Sequence, residues 1–195
     1  MSPRSAESNK AIREERRAAI MDTALIVFAE RGFEGTRIQD IADRCGLSYG
    51  LVYRYFPSKE QIFTAMVEMA LEAAGRLAES LPKGTGPEAL AAFVGIASAY
   101  PSPLYFALVA QALSDKSVPE ELAAQARERV AGIAAAIAKA LALKDAKEAK
   151  IRAEGIIALL LGSSIMQACG LSDGSFAASV AGMLAKAEGK DHGTR

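Results

Sequence analysis

The chain has 195 residues, 51% of them hydrophobic, so it can bury a core and lies outside the charged, apolar-poor class that stays disordered. Basic and acidic residues number 23 each, which excludes a surface that coats polyanions everywhere while allowing a local basic patch. Two cysteines (Cys45 and Cys169) and one histidine (His192, near a polar end) exclude a disulfide framework, a multi-thiolate metal site and most imidazole catalysis.

Forty of the residues are alanine, the strongest helix former, and β-branched runs are few, so an all-α protein is expected. The N-terminus is charged and has no apolar core before a cleavage site, so it does not read as a signal peptide. A first helix is expected over about Ala6–Arg31, with Ile20, Ala24, Val27 and Phe28 on one stripe. Gly32 follows as a left-handed cap, and Phe33 falls where it can pack back on Phe28. Thr36 and Gln39 have the spacing of a capping box and open a second helix with Ile38, Ile41 and Ala42 inward. Cys45-Gly46-Leu47 makes a turn, with Cys45 read as core. Ser48 caps a third helix, which Pro57 stops after Phe56. Ser58 and Gln61 form another box, opening a helix to about Glu79.

Beyond residue 82 the texture changes. Pro82, Gly84, Gly86 and Pro87 make a loop, and later helix starts fall at Ser102-Pro103, Pro119-Glu120-Glu121 and Asp145 with Glu148. A last helix is expected over about Ser175–Glu188, giving about nine in all, with residues 190–195 a disordered tail. Gly155–Ser172 is uncharged and reaches the lower length limit for a bilayer span. Ser163, Ser164, Gln167 and three glycines favour a buried helix of a soluble, cytoplasmic protein.

Two short helices joined by a glycine-containing turn fit a helix-turn-helix. Leu47, Val52 and Phe56 can bury, while Tyr49, Gly50, Tyr53 and Arg54 share the opposite face as i, i+4 pairs. Each suits a major groove. Tyr49 sits in the first turn, where base edges are met, and Gly50 lets the backbone come close. Leu51 can meet a thymine methyl, and Arg54 can fork onto guanine or grip a phosphate. The hydroxyls of Tyr53 and Tyr55 and the ammonium of Lys59 are candidate phosphate contacts, though Tyr55 reads equally as a half-buried aromatic. Arg4, Lys10, Arg13, Arg16 and Arg17 form a basic arm that Glu7, Glu14 and Glu15 dilute; up to Lys59 the chain holds ten basic and eight acidic residues.

Residues 20–63 resemble the N-terminal domain of the TetR/AcrR family of transcriptional regulators. The resemblance rests on Gly32-Phe33-Glu34-Gly35-Thr36, on Ile41-Ala42, on Gly46-Leu47-Ser48-Tyr49-Gly50-Leu51-Val52-Tyr53-Arg54-Tyr55-Phe56, and on Lys59. It covers the first third of the chain. Leu51 and Tyr49 depart from the family's commoner residues and bear on which operator is read. By position, the resemblance implies that Gln39, Tyr49, Gly50 and Leu51 read or approach bases. Thr36, Ser48, Tyr53, Tyr55 and Lys59 hold the DNA backbone, and Arg54 does either.

The resemblance also implies a division into a flexible basic arm (1–13), a DNA-binding domain (14–74, helix-turn-helix 37–56) and a helical ligand-binding and dimerisation domain (75–189). Ala158 and Gly162 allow close helix approach, so a dimer interface is expected at Ala158, Leu161, Gly162, Ile165, Val180 and Leu184. Candidate groups for an apolar effector pocket are Phe63, Met66, Met69, Phe93, Ile96 and Tyr100. Tyr105, Phe106, Val109, Gln111 and Met166 complete the set. The expected partners are double-stranded operator DNA, a second copy of the chain and a small-molecule effector, with no cofactor, metal or membrane. The function expected is a repressor released from a palindromic operator. An enzyme is disfavoured, because no catalytic histidine, phosphate loop or metal cluster is legible. The alternative is a helical interaction module without DNA binding, which predicts a decayed recognition face.

Overall fold

The computed structural model describes residues 3–84, 86, 93, 96 and 103–171. Seven helices are defined there: α1 Pro3–Gly35, α2 Ile38–Cys45, α3 Tyr49–Tyr55, α4 Lys59–Glu79, α5 Pro103–Ser114, α6 Glu120–Leu141 and α7 Ala146–Ala168. No strand occurs among the described residues. The expected last helix, with Val180 and Leu184, lies outside the described residues, as does Tyr100. The chain divides into two compact units, residues up to Met66 and residues from Val67, so the division falls inside α4, ahead of the expected boundary at residue 74 in the same helix.

In the first unit the expected stripe is the core. Ile20, Ala24, Val27 and Phe28 of α1 are buried with Ile41 and Ala42 of α2, Val52 of α3, and Ile62, Phe63 and Met66 of α4. Phe28 stacks on Phe33 at 6.1 Å between centroids, and Phe63 meets both rings edge-on at 5.2 and 5.1 Å. Each such contact contributes about 0.5–1.5 kcal/mol beyond area burial. Gly32 makes the turn possible. Its φ of 70° is positive as expected, but its ψ of 177° is extended rather than left-handed helical, a combination essentially reserved for glycine. Helix α1 begins at Pro3, so the segment expected as a flexible arm is helical from that residue on.

The helix boundaries have local causes. α2 ends in a left-handed Gly46 (φ 65°, ψ 28°), with the amide N–H groups of Gly46 and Leu47 donating back to the Asp43 and Ala42 carbonyls. Its start differs from the expected Thr36–Gln39 box. Arg37 is the cap residue, and its N–H donates to Asp40 Oδ2 at 3.0 Å. The Ser48 and Ser58 caps form as expected, accepting from Leu51 N and Gln61 N at 3.3 Å each. Asp145 caps α7, accepting from Lys147 N and Glu148 N. Cys45, expected inside, is half-buried.

In the second unit α5 packs on α6 and α7, and α6 packs on α7. Tyr105, Phe106, Leu108 and Val109 of α5 are buried, as are Ile133 and Ile137 of α6 and Leu160 of α7. Helix α7 is long and apolar enough by composition to cross a bilayer. Lys147, Glu148, Lys150, Arg152 and Glu154 nevertheless occupy its first turns. Its buried Ser163 and Ser164 hydroxyls donate to the Leu160 carbonyl within the helix.

Candidate nucleic-acid interface

Helix α3 is amphipathic over only seven residues. Val52 and the following Phe56 are fully enclosed, which fixes the opposite face outward. On that face Tyr49 and Tyr53 are 47% and 48% exposed, and their rings stack at 5.7 Å with an interplanar angle of 28°. The i, i+4 spacing places them one above the other. Gly50 between them is exposed, and a Cβ built on it meets nothing within 4 Å. Leu51 is half-buried at the edge of the face, and Ser48 is exposed while its hydroxyl caps the helix.

Arg54 leaves this face. Its guanidinium lies 5.9 Å from the centroid of the half-buried Tyr55 ring, and the two side chains line a concavity with Asn9, Ile12 and Arg13 of α1. Lys10, Arg13 and Arg16 are exposed along α1, whereas the Arg17 guanidinium covers the Phe56 ring at 4.2 Å and helps hold the end of α3. The side chain of Arg4 lies outside the described residues. The basic residues were legible as a group. That Asn9, Ile12 and Arg13 face Arg54 was not, although their spacing of three and four places them on one helical stripe.

Three expected contacts are placed differently. Thr36 is 1% exposed and its hydroxyl donates to the Gly32 carbonyl at 2.7 Å, so it braces the turn and is closed to a ligand in this conformation. Lys59 Nζ donates to the Phe33 and Glu34 carbonyls at 2.9 and 3.3 Å and sits 4.6 Å over the Phe33 ring. Two of its three donors therefore close the end of α1. Gln39 is exposed, but its amide donates to Asp43 Oδ1 at 2.6 Å. The α1–α2 contact is reinforced by Arg31–Asp40 at 2.7 Å and by a two-point Arg44–Glu30 pair. Hydrogen bonding from Arg44 holds the Glu30 carboxyl below its ordinary value.

Few of the expected effector groups line the concavity described in the second unit. In the second unit a concavity of about 370 Å³ is lined by Ala73, Ala74, Arg76, Leu77, Ser80, Ile96 and Phe106, so only Ile96 and Phe106 of the expected set reach it. Phe63 and Met66 are core of the first unit, and Phe93, Tyr105 and Val109 are buried. Met69 is half-buried, Gln111 is bonded to Asp115, and Met166 is exposed. Arg76, at the wall, pairs with Glu72 one turn earlier. Sequence reading missed the α4 residues because a stripe of small groups beside one arginine looks like ordinary helix surface. The four described residues of the expected interface lie on α7, with Ala158 and Ile165 exposed and Leu161 and Gly162 half-buried. No cluster of metal-ligating side chains occurs among the described residues.

Residues 20–66 match the family model described as bacterial regulatory proteins, tetR family. The chain is 38% identical over 72 residues to the uncharacterised helix-turn-helix regulator YfiR of Bacillus subtilis, covering 37% of this chain and 34% of that protein. It is 46% identical over 56 residues to the transcriptional repressor Rv3405c of Mycobacterium tuberculosis, covering 29% and 30% of the two. The match thus spans about a third or less of the length of these relatives. Across the fold, it resembles the structure of AibR in complex with isovaleryl coenzyme A and operator DNA, with a TM-score of 0.65 and 18% identity. That likeness covers 86% of this chain and 97% of that one.

Proposed function

Because residues 20–66 are a domain of the tetR family of bacterial regulatory proteins, we propose that this protein is a sequence-specific DNA-binding transcriptional regulator, a cytoplasmic repressor released from a palindromic operator by a small apolar effector. The observation that carries the reading is the outward face of α3. Tyr49, Gly50 and Tyr53 are exposed on a helix whose other side is locked into the core by Val52 and Phe56. A face decayed for want of a ligand has no need of a capped, braced helix that projects stacked aromatic rings.

In this reading α3 enters the major groove with Tyr49, Gly50 and Leu51 against bases. Arg54, drawn toward α1, acts with Arg13 on a phosphate, and the basic stripe of α1 follows the backbone. Lys59 serves first as a brace and offers a phosphate its one remaining donor. The homodimer is supported by α7. Ile151, Gly155, Ala158, Gly162 and Ile165 recur at spacings of four and three, and Ile151 and Ile165 are 58% and 43% exposed. A two-fold dimer sets its two α3 helices about 34–36 Å apart, on successive turns of the duplex. The effector is proposed to occupy the concavity beside Phe106 and Leu77. It releases DNA only by binding more tightly to a conformer whose spacing misses the operator.

The test is equilibrium binding of the full chain to DNA upstream of its own gene, titrated against salt. The reading predicts steep weakening, about 0.9 of logarithmic slope per phosphate neutralised. Charge removal at Arg13 and Arg54 should each reduce that slope by about one. Binding no tighter than to unrelated DNA, with slopes unchanged in both variants, contradicts it.

A further inference from the structure

The side chains that read bases by forked hydrogen bonds are Arg, Lys, Asn and Gln, while Asp and Glu accept from the amino group of cytosine. Ahead of Arg54, the outward face of α3 carries none of them, only Tyr49, Gly50, Leu51 and Tyr53. The two nearest candidates flank this face. Gln39 is bonded to Asp43 at 2.6 Å, and Arg54 lies beside the Tyr55 ring in the concavity against α1. What the face presents is an apolar wall, two stacked rings with a leucine at its edge. A single hydroxyl can donate or accept and so discriminates poorly among base edges. In the major groove only one base displays an apolar group, thymine with its C5 methyl.

We propose that the stacked Tyr49–Tyr53 pair is a thymine reader, packing on C5 methyl groups so that each bound half-site carries thymine opposite the first turns of α3. The inference rests on the DNA-binding reading above and specifies the base class that it recognises. Two features equip the pair for this. Tyrosine has few rotatable bonds, and stacking holds each ring in place before contact, so little side-chain freedom is lost on binding. Gly50, with open space around it, lets the helix backbone come near enough for ring faces to reach methyl groups.

The test uses the full chain. Duplexes are selected from a randomised library, and each thymine of the enriched sequence is then replaced singly by deoxyuridine, which removes only the methyl. At one or more half-site thymines the wild-type protein should lose about fourfold in affinity, the worth of one buried methyl-sized group. Tyr53→Phe, which keeps the ring, should retain that loss. Tyr49→Ala, a change at an exposed position, should bind thymine and deoxyuridine duplexes equally while keeping the wild-type circular dichroism spectrum and melting temperature. An enriched sequence indifferent to deoxyuridine at every position, or an undiminished thymine preference in Tyr49→Ala, overturns the thymine assignment and leaves the regulator reading standing. A library that yields no enriched sequence overturns both.

Discussion

The hydroxyl of Thr36 and the ammonium of Lys59 both end on carbonyls of the turn that closes α1. Sequence position alone assigned them to the DNA backbone, because a threonine and a lysine at those places are polar in either role. Only the burial of Thr36 separates the roles. Replacing it with valine keeps the shape and removes the donor, leaving the Gly32 carbonyl short of a partner; this should cost about 1–3 kcal/mol, read as a lower urea midpoint with unchanged slope. Lys59→Met should likewise destabilise by about 1–2 kcal/mol, from charged donors lost to two carbonyls. If Lys59 were only a phosphate ligand, stability would stay unchanged. Glu30 gives a pH signature. Its folded value lies below the ordinary 4.5 because Arg44 hydrogen-bonds the charged form, so its stabilisation is present above that pH and disappears as pH falls through the folded value. The melting temperature of Glu30→Gln should therefore fall less steeply than that of the wild type between neutral pH and pH 3.

At the scale of elements, capping and periodicity carried most of the reading. Ser48, Ser58 and Asp145 start helices where their side chains accept the first free N–H groups, and Gly46 ends one in the left-handed region. The start of α2 was misplaced because Thr36 is sequestered by Gly32, leaving Asp40 to complete the cap. The outward face of α3 was legible from i, i+4 spacing. The turning of Arg54 toward α1 was not, since it depends on a contact 41 to 45 positions away in sequence, with Arg13 and Asn9. The effector groups were less legible for a related reason: aromatic and methionine residues at helical spacing serve core and cavity alike, and several of them are buried. Two substitutions test the local energetics. Ala142 ends α6 at φ 50°, a left-handed position that costs an L-residue about 1–2 kcal/mol, so Ala142→Gly should raise the melting temperature by about 2–4 °C or more. Gly50→Ala meets no steric obstacle and should add up to about 1 kcal/mol of helix stability, while its methyl holds the backbone off the duplex and weakens DNA binding. Unaltered affinity in that variant would argue against close approach of α3.

At the scale of the whole molecule, the proposal joins a braced reading head to a second unit whose last described helix leaves a stripe of small and apolar residues uncovered. Ile165→Glu on that stripe should shift the sedimentation profile from a two-chain species to a monomer at micromolar concentration. The central claim is that α3 lies within duplex DNA. A genome-wide footprint of the full chain tests it most directly. The account predicts protected segments sharing two inverted half-sites centred about one helical turn apart, or a multiple of it, with protection weakened in Tyr49→Ala. Protection scattered without a common sequence would contradict it.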